Sequence, residues 1–333
     1  MTTAPEKLPT LRGSVPPVRE WARTFVVGLC MGSADAVPGV SGGTIALIAG
    51  IYGRLIAMIN AITPERVVDF FVALTPLNGG FDPRAALRIF DEIDGWFAIA
   101  LAAGVGAAVI VVTRAVSVLA DREPALLFGF FFGLIAISAV ILLRELAFES
   151  WFQVAAAVVG FTIAFLLSGE VEFLETNSLL VVFVAGAVAV SAMILPGVSG
   201  SLLLIILGQY KFMTDTLSRF IDALLAPVIG GSTATLADDA VLVVTFLAGG
   251  LVGLFTISRV VRRALDRNRR ATMAFLVALV VGALRAPIVE TRDATPSGFT
   301  SEVVLAFVGA AVVGSIFLLV LDWYAVDLDL DTV

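Results

Sequence analysis

The sequence predicts an all-α polytopic membrane protein of two inverted-topology repeats, each a re-entrant helical hairpin followed by three transmembrane helices. Three observations lead to this fold class. Hydrophobic residues fill 59% of the 333 positions and charged residues only 15%, whereas a soluble domain is about 25% charged. Apolar runs long enough to cross the hydrocarbon core of a bilayer recur along the chain. A segment of twenty residues also occurs twice.

The composition excludes several kinds of site. The chain has no histidine, which excludes Ser-His-Asp and Cys-His catalysis and histidine metal sites. Cys30 is the single cysteine, so an internal disulfide, thiolate metal sites and iron–sulfur clusters are excluded as well. The net charge of −7 argues against a nucleic-acid partner. We therefore expect a protein that is not an enzyme and binds no cofactor.

The charged residues have a bias of their own. Only two of the 21 basic residues are lysines, Lys7 and Lys211, and acidic residues outnumber basic ones. Such a composition suits a high-salt cytoplasm, and we take it to indicate a haloarchaeal source.

The first half of the chain begins with a proline-rich tail. Residues 1–18 are predicted to be disordered, and they lack the apolar core of a signal peptide. Repeat 1 follows over 19–169 and contains a re-entrant motif at 33–44. The predicted spans of this repeat are 95–113, 125–143 and 151–169.

Repeat 2 is predicted to extend over 178–321, with its re-entrant motif at 191–201. The predicted spans of this repeat are 240–258, 271–289 and 302–321, and an acidic C-terminal tail occupies 322–333. Three mixed apolar and charged segments are predicted to lie along the membrane interface as amphipathic helices. These segments are 65–75, 83–93 and 215–226.

The two motifs are copies of one another. Residues 33–52 align with 191–210 at an offset of 158, and ten of the twenty positions are identical, including Pro-Gly-Val-Ser-Gly and a later Gly-x-Tyr. Proline removes a backbone donor and glycine lowers helix propensity, so each helix should stop and restart there. Irregular backbone is tolerated inside a bilayer only where it is buried in protein or lines a cavity. A matched pair of such breaks indicates the substrate site of a transporter.

The basic residues orient the chain. If each motif enters and leaves the membrane on the same side, most of the 21 basic residues lie on one side, which is then cytoplasmic. The N-terminus and the arginine-rich loop 259–270 are therefore predicted to be cytoplasmic, in the plasma membrane. Each repeat then crosses the membrane an odd number of times, which makes the repeats inverted. If each motif instead belongs to one broken spanning helix, the charge asymmetry weakens.

The motifs predict an anion-binding site. A helix N-terminus offers unpaired N–H groups and about half a positive charge, hydroxyls add donors, and glycine lets a ligand approach the backbone. Two helix ends supply about one positive charge, whereas a phosphate monoester carries about −1.5 to −2, so Arg285 is predicted to complete the site. The predicted substrate-binding residues are Pro38, Gly39, Ser41, Gly42, Gly43, Thr44, Pro196, Gly197, Ser199, Gly200, Ser201 and Arg285.

Each of these residues has a simpler interpretation. Gly and Ser in membrane helices often serve close packing, and Arg285 could snorkel to the interface. Asp35 has no acidic counterpart in the second motif, where Met193 stands at the equivalent position. An intramembrane carboxylate on one side only predicts coupling to H⁺ or Na⁺, and the alternative is a helix cap.

The segments Ala34 to Thr44 and Met193 to Ser201, each followed by Gly-x-Tyr, resemble the polyprenyl-phosphate (undecaprenyl phosphate) translocase family. The segment Gly282-Ala283-Leu284-Arg285 resembles the family's Gly-Ser-Leu-Arg, with Ala283 in place of serine. The resemblance implies a transporter that returns a polyprenyl-phosphate lipid to the cytoplasmic leaflet by alternating access, with the phosphate at the two motif tips. For an archaeal chain the carrier would be a dolichyl-type phosphate.

Two other functions remain open at this stage. A secondary transporter of a small soluble anion would use the same motifs without an opening toward lipid. An intramembrane polyprenyl-phosphate hydrolase would need a base or nucleophile beside the motifs, and the chain offers no histidine for that role. The sequence does not predict the oligomeric state.

Overall fold

The computed structural model describes residues 15–75, 82–144, 146, 148–169, 178–192, 199–229, 232–295 and 298–330. In this part of the chain there are fourteen helices and no strand. The helices of the first half are α1 (Val18–Ala36), α2 (Gly42–Ile48), α3 (Tyr52–Ala61), α4 (Pro64–Ala73), α5 (Pro83–Glu92), α6 (Gly95–Arg122), α7 (Pro124–Arg144) and α8 (Trp151–Leu167). Those of the second half are α9 (Leu179–Ala192), α10 (Gly200–Ile206), α11 (Tyr210–Ile229), α12 (Leu236–Gly282), α13 (Arg285–Ala294) and α14 (Ser301–Leu330).

The protein is an all-α membrane protein. Five described segments are long and apolar enough to cross a bilayer: Gly95–Arg122, Pro124–Arg144, Leu236–Val261, Arg263–Ala294 and Ser301–Trp323. The helices α2 and α3 form a further apolar pair bent by 116°, which fits either a broken span or a re-entrant loop. The helices α8 and α9 are apolar but shorter, at 17 and 14 residues.

The predicted spans lie on these helices with shifted ends. The segments 95–113, 125–143 and 302–321 fall within α6, α7 and α14. The predicted span 151–169 extends two residues beyond the end of α8. Most of the predicted tail 1–18 lies outside the described residues, and Val18 already starts α1. The helix α14 continues into the predicted acidic tail as far as Leu330.

The connection predicted at 259–270 is much shorter than a loop of twelve residues: the structure has a kink at Asn268 and helix on either side. These residues belong to α12, in which two helical stretches meet at a kink whose non-helical residue is Asn268 (φ −155°, ψ 83°). The segment lacks glycine and proline and is rich in arginine, a good helix former, so nothing in it stops the first half of α12. The Asn268 side chain accepts a hydrogen bond from the Ala271 N–H at 3.0 Å and thereby caps the second half.

Packing divides the chain into two compact units that differ from the two sequence repeats. The first comprises the described residues within 1–33 and 42–108, and the second those within 34–41 and 109–333. In the first unit α1 and α6 approach closely, because a Cβ added to Gly28 would lie 2.3 Å from the Leu101 carbonyl oxygen. Met31, Ala46 and Phe97 are buried together beside that contact.

The second unit is assembled through glycines at helix crossings. A Cβ on Gly133 of α7 would lie 2.0 Å from the backbone oxygen of Ala311 in α14. One on Gly249 of α12 would lie 2.0 Å from the backbone oxygen of Phe183 in α9. Because lipid provides no hydrophobic drive between helices, close van der Waals packing at small residues holds them together.

Candidate functional site

The two motif copies share one backbone design. The helices α2 and α10 each contain seven residues and begin and end at positions separated by the same offset of 158. Each is followed by a glycine in the left-handed region, Gly50 (φ +70°) and Gly208 (φ +64°), a conformation that glycine adopts without strain. The next helix then begins at Tyr52 in one copy and at Tyr210 in the other.

The same hydrogen bonds close both short helices. In the first copy the Gly50 N–H donates to the Leu47 carbonyl at 2.9 Å and the Ile51 N–H to the Ala46 carbonyl at 3.0 Å. The equivalent distances in the second copy are 3.0 and 2.9 Å. This is the Schellman motif, which satisfies the last carbonyls of a helix, and it explains why Gly-x-Tyr recurs in the sequence.

The first motif turns sharply at Gly39. Its φ of +88° is left-handed, and an added Cβ would lie 3.2 Å from the Leu134 backbone, so this position requires glycine on both counts. Pro38 is buried, whereas Ser41 is half-buried immediately before α2. Ser41 thus stands in front of its short helix at the position that Ser199 occupies in the second copy.

Ser199 is the centre of the described hydrogen bonds at the motifs. Its Oγ accepts from the Leu202 N–H at 3.2 Å, as an N-cap, and lies 2.9 Å from the Ser201 Oγ. It also accepts from the Gly39 N–H at 3.4 Å, so the first and second motifs meet at this atom. Both serines are only 5% exposed.

A second bond joins the copies. The Tyr210 hydroxyl donates to the Ala36 carbonyl at 2.7 Å, and Tyr210 is 4% exposed. Two independent hydrogen bonds therefore tie the chain around Gly39 to the second copy of the motif.

The remaining predicted motif residues are placed as follows. Gly200 is buried and begins α10. Gly42, Gly43 and Thr44 begin α2 in the first unit, where they are buried, half-buried and exposed in turn. Pro196 and Gly197 lie outside the described residues. Asp35 is half-buried in the last turn of α1.

Arg285 starts α13, because α12 ends at Gly282 and a turn separates the two helices. The predicted span 271–289 is thus interrupted at its arginine. The guanidinium donates from Nη1 to the Phe165 carbonyl at 2.7 Å and lies 4.6 Å from the centre of the Phe165 ring. An arginine at the C-terminal end of α8 is a favourable partner for its unpaired carbonyls.

The turn before Arg285 does approach the second motif. Ala283 is buried in one apolar cluster with Leu202 and Ile206 of α10, and Leu284 packs against the same cluster. The guanidinium itself contacts Phe165 and lies against Gly169, where an added Cβ would be 2.6 Å from its Nη2; its described hydrogen bond goes to Phe165 rather than to Ser199.

Sequence reasoning missed two of these partners. Tyr210 belonged to the repeated Gly-x-Tyr, so the signal for it was present, but its role as a link to Ala36 depends on tertiary contacts. The Phe165 carbonyl carries no sequence signal, since every residue has one.

Comparison with known proteins finds a family whose model matches residues that include both motifs. A family model described as undecaprenyl phosphate translocase-like matches residues 31–304. A polyprenyl-phosphate transporter of Vibrio cholerae is 34% identical over 266 residues, covering 78% of this chain and 75% of the relative. A polyprenyl-phosphate transporter of Staphylococcus aureus is 28% identical over 298 residues, covering 86% of this chain and 89% of the relative. No solved structure matches the chain.

Proposed function

Because the chain belongs to the undecaprenyl phosphate translocase-like family, we propose that it carries a polyprenyl-phosphate lipid, undecaprenyl or dolichyl-type, across the plasma membrane. The names of its relatives support this substrate class. The observation that carries the proposal is the hydrogen bond between Gly39 and Ser199, since it joins two copies of one glycine- and serine-rich motif.

In this proposal the phosphate is held by the donors at the junction of the motifs. The bond from the Gly39 N–H to Ser199 is long, at 3.4 Å, compared with the usual range of about 2.7–3.2 Å. That N–H can therefore turn to a phosphate oxygen at small cost. The hydroxyls of Ser199 and Ser201 are further donors, whereas the Leu202 N–H is already used by the cap. Hydrogen bonds to an ionised acceptor are stronger than the neutral ones they replace.

The rest of the mechanism follows the inverted-repeat scheme. The polyprenyl tail stays in lipid while the two repeats rock against each other, exposing the headgroup to each leaflet in turn. The carrier is thereby returned to the cytoplasmic leaflet. The N-terminus and residues 259–270 lie on the cytoplasmic side. Arg285 approaches the phosphate by exchanging its bond with the Phe165 carbonyl for one with the ligand.

The test is headgroup translocation in proteoliposomes. A labelled polyprenyl phosphate is placed in both leaflets, and the fraction open to an added phosphatase is followed over time. We expect the double substitution Ser41→Ala with Ser199→Ala, and separately Arg285→Ala, to slow translocation about ten- to hundredfold, the worth of one hydrogen bond to a charged group. Ser138→Ala, a buried serine of α7 outside both motifs, is the matched control. Wild-type rates in both motif variants would show that the site is wrong.

Ion coupling is tested in the same vesicles. A pH or Na⁺ gradient should accelerate the wild-type protein, and Asp35→Asn should remove that acceleration while the rate without a gradient is kept. An Asp35→Asn protein that still responds to the gradient would exclude Asp35 as the coupling group.

The same assay separates the other two functions. Strong competition by soluble phosphates would favour a transporter of small anions. Release of inorganic phosphate without added phosphatase would favour a hydrolase.

A further inference from the structure

The first unit contains a cavity of about 570 Å³ between the start of α1 and the start of α3. This volume is in the range of small-molecule binding sites. Gly50 and Ile51 of the repeated segment 33–52 contribute to the cavity wall, whereas its charged lining residues lie outside that segment. The lining residues that matter here are Arg19, Glu20, Arg23, Thr24, Ile51 and Arg54.

One of the three arginines is fixed. Arg54 donates to Glu20 at 2.8 Å and to both oxygens of Asp94 at 2.5 and 2.9 Å. Its guanidinium also lies 4.3 Å from the centre of the Phe97 ring. Asp94 adopts a left-handed φ of 54°, which is uncommon for a residue with a side chain. Arg54 is therefore a rigid cation in the wall.

The other two arginines, Arg19 and Arg23, lie where their positive charges destabilise the protein in the absence of a bound anion. Arg19 and Arg23 are both exposed, and within the described residues neither forms an ion pair. They are four residues apart on one helix, where like charges repel, and they lie near its positive N-terminal end. Three arginines and Glu20 line the cavity, and Asp94 pairs with Arg54 from outside the lining. Among these described groups one positive charge is left over. A singly charged anion would balance it.

The lining also suits an amphiphile. Buried Thr24 places a hydroxyl beside the cations, and Ile51 supplies apolar wall. Next to Glu20 stands Trp21, whose ring lies 6.2 Å from that of Trp96. Paired tryptophans are typical of the boundary between headgroups and hydrocarbon. The tryptophan pair does not line the cavity, but it follows the lining residue Glu20 directly in the chain and marks α1 as a helix that starts at the membrane boundary.

We propose that this cavity is a second anion site, which binds a phosphate ester such as the phosphodiester of an anionic phospholipid. Arg19 and Arg23 contact the phosphate, Arg54 is the fixed cation of the wall, and Thr24 donates a hydrogen bond. The site does not depend on the proposed transport function, because the groups assigned to the phosphate, Arg19, Arg23, Thr24 and Arg54, lie outside both copies of the repeated segment.

The test is lipid retention by the full-length chain in detergent, measured by native mass spectrometry. Phosphatidylglycerol and phosphatidylcholine are added in turn. We expect one phosphatidylglycerol to be retained in preference to phosphatidylcholine, and retention to fall about thirtyfold in the double variant Arg19→Gln with Arg23→Gln. The single variant Arg23→Gln should show a smaller loss. Both side chains are exposed, so the fold should persist.

The chain offers a matched control. Arg84 and Arg88 of α5 are likewise exposed, four residues apart and near a helix N-terminus, but they do not line the cavity. Arg84→Gln with Arg88→Gln should keep wild-type retention. Equal losses in the two double variants, or none in the first, would overturn the proposal. Millimolar inorganic phosphate assigns the source: displacement of the lipid indicates a site for free phosphate, and persistence a site for the lipid headgroup.

Discussion

Removal of the Ser199 hydroxyl is the sharpest test of how the two motifs are joined. The substitution Ser199→Ala deletes one atom group that serves three neighbours: the N–H of Leu202, the N–H of Gly39 and the hydroxyl of Ser201. The site is buried, so water does not readily replace the lost partner.

The cost can be worked out bond by bond. Loss of the N-cap to Leu202 costs about 1 kcal/mol. The Ser201 hydroxyl, left without its partner in a buried site, adds about 1 kcal/mol. The bond to Gly39 is long and adds little. We therefore expect Ser199→Ala to lower the free energy of unfolding by about 2 kcal/mol. Ser201→Ala removes one bond and keeps the cap, so it should cost about 1 kcal/mol.

The assay is reversible denaturant unfolding in detergent, followed by tryptophan fluorescence. The double variant should cost less than the sum of the two single variants, because they share the bond between the hydroxyls. If Ser199→Ala unfolds like the wild-type protein, or if the two costs simply add, Ser199 does not bridge its neighbours as described.

Two further predictions use pairs within the chain. Gly133→Ala should destabilise the protein by about 1–3 kcal/mol, because the new Cβ would meet the backbone of α14 at 2.0 Å. The control Gly106→Ala places its Cβ in open space and should be neutral or stabilising. Equal unfolding midpoints for the two variants would refute the close crossing of α7 and α14. Tyr210→Phe should lower the free energy of unfolding by about 1 kcal/mol by leaving the Ala36 carbonyl unpaired. Tyr52→Phe changes an exposed position and should leave the free energy of unfolding unchanged. A larger loss of stability in Tyr52→Phe than in Tyr210→Phe would show that the hydroxyl bond is unimportant.

Local signals were read correctly where they depend on a few neighbouring residues. The duplicated Pro-Gly-Val-Ser-Gly and Gly-x-Tyr predict where a helix stops and restarts, because proline and left-handed glycine act on their own backbone. The two seven-residue helices α2 and α10 begin and end at equivalent residues for this reason. The all-α membrane class likewise follows from the composition and from the length of the apolar runs.

The predictions that failed concern residues for which two sequence signals point to different structures, or for which the partner leaves no signal. The arginines of 259–270 indicate a cytoplasmic loop by charge, but they are also good helix formers, and the backbone follows the second property as far as Asn268. The partner of Arg285 could not be predicted either, because the sequence shows the cation but not the Phe165 carbonyl that lies beside it.

The two copies of the motif differ in what surrounds them, although their backbones match. Tyr210 is 4% exposed and Tyr52 is 42% exposed. Asp35 of the first copy aligns with Met193 of the second. Local sequence repeats the turn, whereas tertiary packing decides the environment of each side chain. For the proposed transporter this matters energetically. Two identical halves would give inward- and outward-facing states of equal free energy, and a difference between the halves biases that equilibrium without any ligand. In the proposed mechanism, an asymmetric pair built on one repeated backbone would therefore give both a shared binding geometry and a preferred resting state.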